Sequence, residues 1–178
     1  RIKEEINLKD EKNPRIIAVT KTFSENRVLP LVKFGHIDFG ENKVQEAVSK
    51  WSKIKNEYKD IKLHMIGNLQ SNKVKQAVSI FDYIHSVDNL KLAEKISKEQ
   101  KKIDKNLKLF IQINIGNENQ KNGINYEDTK NFLNVCIKDL ELDVIGLMCI
   151  PPNDKNTEKY FSEMLSLKKQ LNVNELSM

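Results

Sequence analysis

Short runs of β-branched and apolar residues alternate with amphipathic stretches along almost the whole chain, and this alternation limits the fold more than any other feature. Residues 16–20, 36–39, 61–66, 83–87, 107–114 and 142–148 read as strands, most of them apolar enough to be buried on both faces. Between them, apolar residues recur at helical spacing: Val44, Ala47, Val48, Trp51 and Ile54; Val74, Ala77, Val78 and Phe81; Leu92, Ala93 and Ile96; Phe132, Leu133, Cys136 and Ile137. Tyr160, Phe161, Met164, Leu165 and Leu171 form a fifth stripe, and a seventh strand is expected to begin near Glu175. Strand–helix alternation of this kind implies a parallel sheet with helical crossovers, either an open doubly wound sheet or a closed barrel. Six such units plus a seventh strand nearly fill an eight-stranded barrel. The chain opens on Arg1 and stops at Met178, so the expectation is a segment of a somewhat longer barrel.

Local signals agree with these boundaries. Ser71, Asp88 and Asn125 are candidate N-caps, with Asp128 in the first turn after Asn125. Gly35 suits a helix C′ position, Pro30 lies inside a helical segment over 24–34 that it is expected to kink, and Pro151-Pro152 breaks the chain after strand six. No linker divides the 178 residues, so one domain is expected over 1–178.

Composition excludes several function classes. The net charge of +5 comes from 30 basic and 25 acidic residues that are interspersed, not gathered into the stripe a nucleic-acid binder needs. Cys136 and Cys149 belong to no metal-binding spacing and read as core thiols. There is no apolar run near 18 residues, no glycine-rich nucleotide fingerprint and no Ser/His/Asp arrangement. A cytoplasmic monomer is expected, with no nucleic acid and no membrane among its partners.

Lys21 follows the first strand directly. In parallel α/β folds the carboxyl ends of the strands carry the chemistry, and a desolvated amine there can attack an aldehyde. The plain alternative is that Lys21 ends the strand and reaches for water. The other strand ends carry uncharged polar or small groups: Gly40-Glu41-Asn42, Gly67-Asn68, Ser86, Asn114 and Gly146 through Cys149. One lysine ringed by such groups suits a carbonyl-binding pocket better than a metal site. Each residue also has a structural alternative: Asn42 and Ser71 as helix caps, Glu41 as a dipole-stabilised carboxylate, His64 as a satisfied core histidine, His36 and His85 as structural or exposed, and Met148 as core filler.

Several segments together resemble one family. Ala18-Val19-Thr20-Lys21-Thr22 resembles the lysine motif of the pyridoxal-phosphate homeostasis proteins, also called proline synthetase co-transcribed proteins. Phe39 through Glu46, His64 through Lys73, Ile111 through Ile115 with Lys121 through Ile124, and Gly146-Leu147-Met148 with Ile150-Pro151 are similar to four further motifs in the same order. The resemblance implies a TIM-type (β/α)8 barrel like the N-terminal domain of alanine racemase, with its C-terminal strands missing from these residues. It implies pyridoxal 5′-phosphate (PLP) held as a Schiff base on Lys21, with Asn42, His64, Ser86, Asn114, Met148 and Ser177 around the cofactor. The implied role is a non-catalytic carrier and regulator in vitamin B6 and amino-acid homeostasis, with small amines or amino acids as partners. The family continues past Leu176-Ser177-Met178 with segments that hold the cofactor phosphate, so weak PLP binding is expected of residues 1–178 alone. A PLP-dependent amino-acid racemase is the enzymatic alternative; it needs a second base, and Tyr58, Tyr83, Tyr126 and Tyr160 are expected on helices or strands away from the rim. Direct attack of Lys21 on a substrate carbonyl is a third possibility, with Glu41 as the carboxylate nearest the expected rim.

Overall fold

The computed structural model describes residues 14–116, 118 and 122–178. Arg1 and Lys121, used above, lie outside the described residues. Seven strands form one parallel sheet whose spatial order follows the chain: β1 (Ala18–Val19), β2 (Asp38–Glu41), β3 (Lys62–Met65), β4 (Tyr83–Val87), β5 (Lys108–Ile113), β6 (Asp143–Cys149) and β7 (Glu175–Ser177). Among the described residues β1 and β7 are not paired with each other, so the sheet is seven parallel strands with the barrel left unclosed; the expectation was a (β/α)8-type barrel with its C-terminal strands missing.

Helices connect the strands: α1 (Glu25–Lys33), α2 (Val44–Glu57), a 3-10 turn (Ser71–Lys73) leading into α3 (Val74–Ile80), α4 (Leu90–Lys102), α5 (Thr129–Asn134) running into a π turn (Val135–Asp139), and α6 (Thr157–Leu171). They pack on the outer face of the sheet. Phe39, Leu63, Met65, Ile84, Leu109, Ile111 and Leu147 point from the strands into this outer layer, where they meet Trp51, Ile54, Val78, Ile96 and Met164 from the helices. Most of the expected stripe residues face this core, but Ile137 and Leu165 are exposed.

Three local expectations are corrected. Asn89, not Asp88, caps α4: its side chain accepts from the Leu92 amide at 2.9 Å. The residue before the 3-10 turn is Gln70, and Ser71 is already inside it without a side-chain capping bond. The residue before α5 is Asp128, while Asn125 lies a turn earlier and accepts through its backbone carbonyl from Thr129. Gly35 does take the left-handed C′ position (φ 93°), its amide bonding the Val32 carbonyl, and α1 runs through Pro30. Among the described residues no helix is long and apolar enough to cross a membrane.

Candidate functional site

Because the strands are parallel, their carboxyl ends share one rim, and strand alternation decides which side chains reach the inner face there. Ala18 packs into the helical layer, and Thr20 bonds outward to Glu41. The opposite parity (Arg15, Ile17 and Val19) belongs to the inner face. Two contacts confirm this: the Arg15 guanidinium donates to the Tyr83 hydroxyl at 3.3 Å, and the Ile17 side chain lies against the inner side of Gly40. Lys21 follows in the turn at the carboxyl end of β1 and is exposed, not desolvated as the sequence reading required. Among the described residues no strand pairs with the open side of β1.

The turn that carries Lys21 is held from both sides. The Phe23 amide closes onto the Thr20 carbonyl at 3.2 Å, and Thr22 sits at φ 68°, a left-handed conformation that β-branched residues avoid. The Thr20 hydroxyl donates to Glu41 Oε1 at 2.6 Å, and the Thr22 amide donates to Glu46 Oε1 at 2.6 Å. Lys50 reaches in from α2 and donates to the Thr20 carbonyl (2.7 Å), Glu41 Oε1 (2.8 Å) and Glu46 Oε1 (3.0 Å). The Trp51 indole donates to the same Glu41 oxygen at 3.0 Å. Glu41 thus faces the helical layer, fully buried, and is not the rim carboxylate that the sequence suggested.

Asn42 and Ser86 lie at the carboxyl ends of β2 and β4. Asn42 follows β2, and its close neighbour Gly67 follows β3: a Cβ on Gly67 would fall 2.4 Å from the Asn42 carbonyl oxygen, so this pair requires glycine. Ser86 lies in the irregular step of β4, where the register slips between Ile84 and Val87 and a bulge re-aims the side chains. Asn42 Oδ1 and Ser86 Oγ are both buried and have no hydrogen-bond partner among the described residues. Buried polar atoms without a partner are costly and rare. They are the feature of this rim best suited to receive a polar ligand.

The remaining expected contact residues have partners of their own among the described residues. Asn114 is committed to its own loop: Nδ2 donates to the Glu118 carbonyl (3.0 Å) and Oδ1 accepts from the Glu118 amide (3.2 Å). Met148 packs with Tyr83 and Phe110 on the inner face. His64 and Ser177 belong to a buried chain of hydrogen bonds across the interior: Asp38 Oδ1 to His64 Nε2 (3.1 Å), His64 Nδ1 to His85 Nε2 (2.9 Å) and His85 Nδ1 to Ser177 Oγ (2.8 Å). With His85 neutral, one of its ring nitrogens donates and the other accepts, linking His64 to Ser177. Burial, then repulsion from His64 and from Arg15, pushes the His85 pKa down to about 3, which keeps that ring neutral. His64 stacks on Tyr83 and His85 on Phe110, at 4.2 and 4.3 Å between ring centres. His64 is thus a satisfied interior histidine.

The hydrogen bond from His64 is the main influence holding the Asp38 carboxyl below its usual range, against the raising effect of burial. A carboxyl whose folded value is depressed stabilises the fold above its unfolded value, and that contribution disappears as pH falls through the folded value. We expect urea midpoints of the wild-type protein to drop as the pH falls below about 4, with a shallower drop in Asp38→Asn. Parallel midpoint–pH curves for the two proteins would remove Asp38 from this account.

Lys50, Glu46, Trp51, Asp38 and Arg15 were not singled out as site residues from the sequence. For Lys50 a signal exists: it falls three residues after Ala47 and four before Ile54, inside the apolar stripe of α2. Tyr126 is in the loop before α5, not on a helix or strand, and lines an open groove of about 650 Å³ with Asn114, Asn125, Asp128 and Glu163. Among the described residues no group of three His, Cys, Asp or Glu is arranged to hold a metal.

Comparison with known proteins adds to this geometry. The family model described as "Alanine racemase, N-terminal domain" matches residues 2–177. A pyridoxal phosphate homeostasis protein of Vibrio alginolyticus is 32% identical over 155 residues, covering 86% of this chain and 66% of that protein, so the chain spans about two thirds of its length. The structure of PipY from Synechococcus elongatus PCC7942 without PLP superposes with a TM-score of 0.87 at 30% identity, covering 98% of this chain and 86% of PipY. PipY with PLP bound gives 0.82 at 29% identity, covering 98% and 85%. An alanine racemase of Clostridium difficile 630, at 15% identity and a TM-score of 0.71 over 95% of this chain and 44% of that one, shares the fold.

Proposed function

Because this chain belongs to the alanine racemase N-terminal domain family, among the pyridoxal phosphate homeostasis proteins, we propose that it binds pyridoxal 5′-phosphate covalently through Lys21 and serves as a carrier and regulator of that cofactor. One observation supports the site above the others: the carboxyl ends of the strands carry Lys21 and two buried polar atoms, Asn42 Oδ1 and Ser86 Oγ, that have no partner among the described residues. When bound, the cofactor supplies an aldehyde that condenses with a primary amine, with loss of one water.

The protein's own groups divide the work. Lys21 Nζ is the attachment point. Asn42 and Ser86 orient the ring through the polar atoms that are otherwise unsatisfied, and Met148 supplies an apolar wall on the inner face. Asn114 acts by shaping the rim loop after β5. His64 and Ser177 lie in the chain beneath the rim and fix the floor of the site. An exposed Lys21 suits a carrier, since a second amine has access to displace it; small amines and amino acids are the proposed exchange partners. In the whole protein we expect the sheet to close as an eight-stranded barrel, and the carrier to act as a cytoplasmic monomer.

The test is direct. The protein is titrated with PLP, reduced with borohydride and digested. One equivalent of reduced cofactor mapped to the Lys21 peptide is expected, together with its release when excess amino acid is added before reduction. Absence of the mass increase, or label scattered over the many surface lysines, would overturn the assignment.

A further inference from the structure

Lys50 has three N–H donors and three acceptors, and nothing is left over. Its ammonium is buried, with only 6% of the side chain exposed, although a lysine of α2 has free routes to water. Its acceptors are the Thr20 carbonyl and two carboxylates. Glu41, the first of these, takes the Thr20 hydroxyl; Glu46, the second, takes the Thr22 amide. The residues immediately before and after Lys21 are therefore both fastened, through one buried cation, to helix α2. Thr22 is also the residue with the unfavourable positive φ, a conformation that persists only where the surroundings impose it. The cluster is expensive as well: Glu41 is fully buried, and its Oε2 has no partner among the described residues. A stability role alone would be served as well by packed apolar side chains.

We infer that Lys50, with Glu41 and Glu46, is a positioning residue for Lys21: the buried ion cluster clamps the Thr20–Thr22 turn so that the Lys21 amine is presented at the rim in one orientation. This deepens the cofactor reading above and rests on it. Lys21 itself is exposed and has no hydrogen bond of its own among the described residues, so the two flanking anchors are what restrict its backbone. An amine that must meet an aldehyde in register with Asn42 and Ser86 loses much of its advantage if its turn is free to swing, because small misplacements of a reacting group carry large rate penalties.

The test uses three variants of the protein. Lys50→Met removes the clamp, and Lys50→Met combined with Glu41→Gln removes it without leaving an unpaired buried carboxylate. Lys55→Met breaks a different ion pair on the same helix, Lys55–Asp82 at 2.5 Å, and serves as the stability control. Two quantities are read: the equilibrium constant for PLP uptake at Lys21, and hydrogen exchange at the Thr22 amide without any cofactor. The double variant is expected to remain folded by circular dichroism, to lose PLP affinity about tenfold or more, and to exchange the Thr22 amide at least about tenfold faster. Lys55→Met is expected to leave both unaltered. A folded double variant with wild-type Thr22 exchange and wild-type uptake overturns the clamp, and so does an equal loss in Lys55→Met. If the wild-type protein takes up no PLP at all, the cofactor reading fails, and the Thr22 amide still decides whether the clamp exists.

Discussion

Replacing Lys21 by alanine is expected to abolish the visible absorbance of the PLP-loaded protein and the borohydride-fixed mass at that position, while leaving the fold untouched. The two halves of this expectation have separate causes. Lys21 is exposed and makes no hydrogen bond among the described residues, so removing its side chain takes away no packing and no partner. Surface changes of that kind shift stability by no more than about 0.5 kcal/mol. The loss of function is large because the covalent bond has no substitute at the rim: Asn42 and Ser86 supply polar contacts only. The affinity that remains is expected to be at least about a hundredfold weaker. Urea denaturation, absorbance titration and intact mass on the same preparation check all three statements. A Lys21→Ala protein that colours as deeply as the wild type, with the cofactor still fixed by borohydride, would put the attachment on another amine and dissolve the site proposed here.

That Lys21 was visible from sequence, while Lys50 was not, has a physical explanation. Lys21 follows a β-branched run, and strand ends are readable because the apolar pattern stops there. The same pattern located β4 to the residue and the start of β7 near Glu175. It overextended β1, expected over 16–20 and found as Ala18–Val19, because only one neighbouring strand supports it. It placed β2 too early, at 36–39 instead of Asp38–Glu41, because Asp38, Gly40 and Glu41 are not apolar. They are buried by other means: Asp38 by pairing with His64, Gly40 by the Ile17 and Ile66 side chains, and Glu41 by three donors on one oxygen. Partnership between distant residues of this sort leaves no periodic trace. Lys50 is one of 30 basic residues, and its burial depends on two carboxylates that themselves look like ordinary rim and surface groups. The family resemblance, carried by motifs around Lys21, Asn42 and His64, pointed to the rim, yet it could not say that His64 would be bonded to Asp38 and His85.

The largest stability effect is expected where the outer core and this ion cluster meet, at Trp51. Its side chain is fully buried, its ring lies 4.7 Å from that of Phe39, and its indole N–H donates to Glu41 Oε1. Truncation to alanine would remove the largest side chain of the core and leave a cavity, at a cost of about 3–5 kcal/mol. Glu41 would lose one of three donors at a site closed to water, adding to that cost. A domain of this size holds only about 5–15 kcal/mol in total, so Trp51→Ala is expected to be unfolded or close to it at 37 °C. Trp51→Phe separates the two contributions: it keeps most of the ring volume and loses only the donor, and about 1–2 kcal/mol is expected. Chemical denaturation followed by far-ultraviolet circular dichroism measures both, since fluorescence is lost with the chain's single tryptophan. A Trp51→Ala loss below about 1 kcal/mol would mean that the outer core relaxes around the site far more than its close packing implies. If Trp51→Phe instead costs as much as the alanine change, the bond to Glu41 and not the ring holds α2 against β2, and the ion cluster governs the fold as well as the rim.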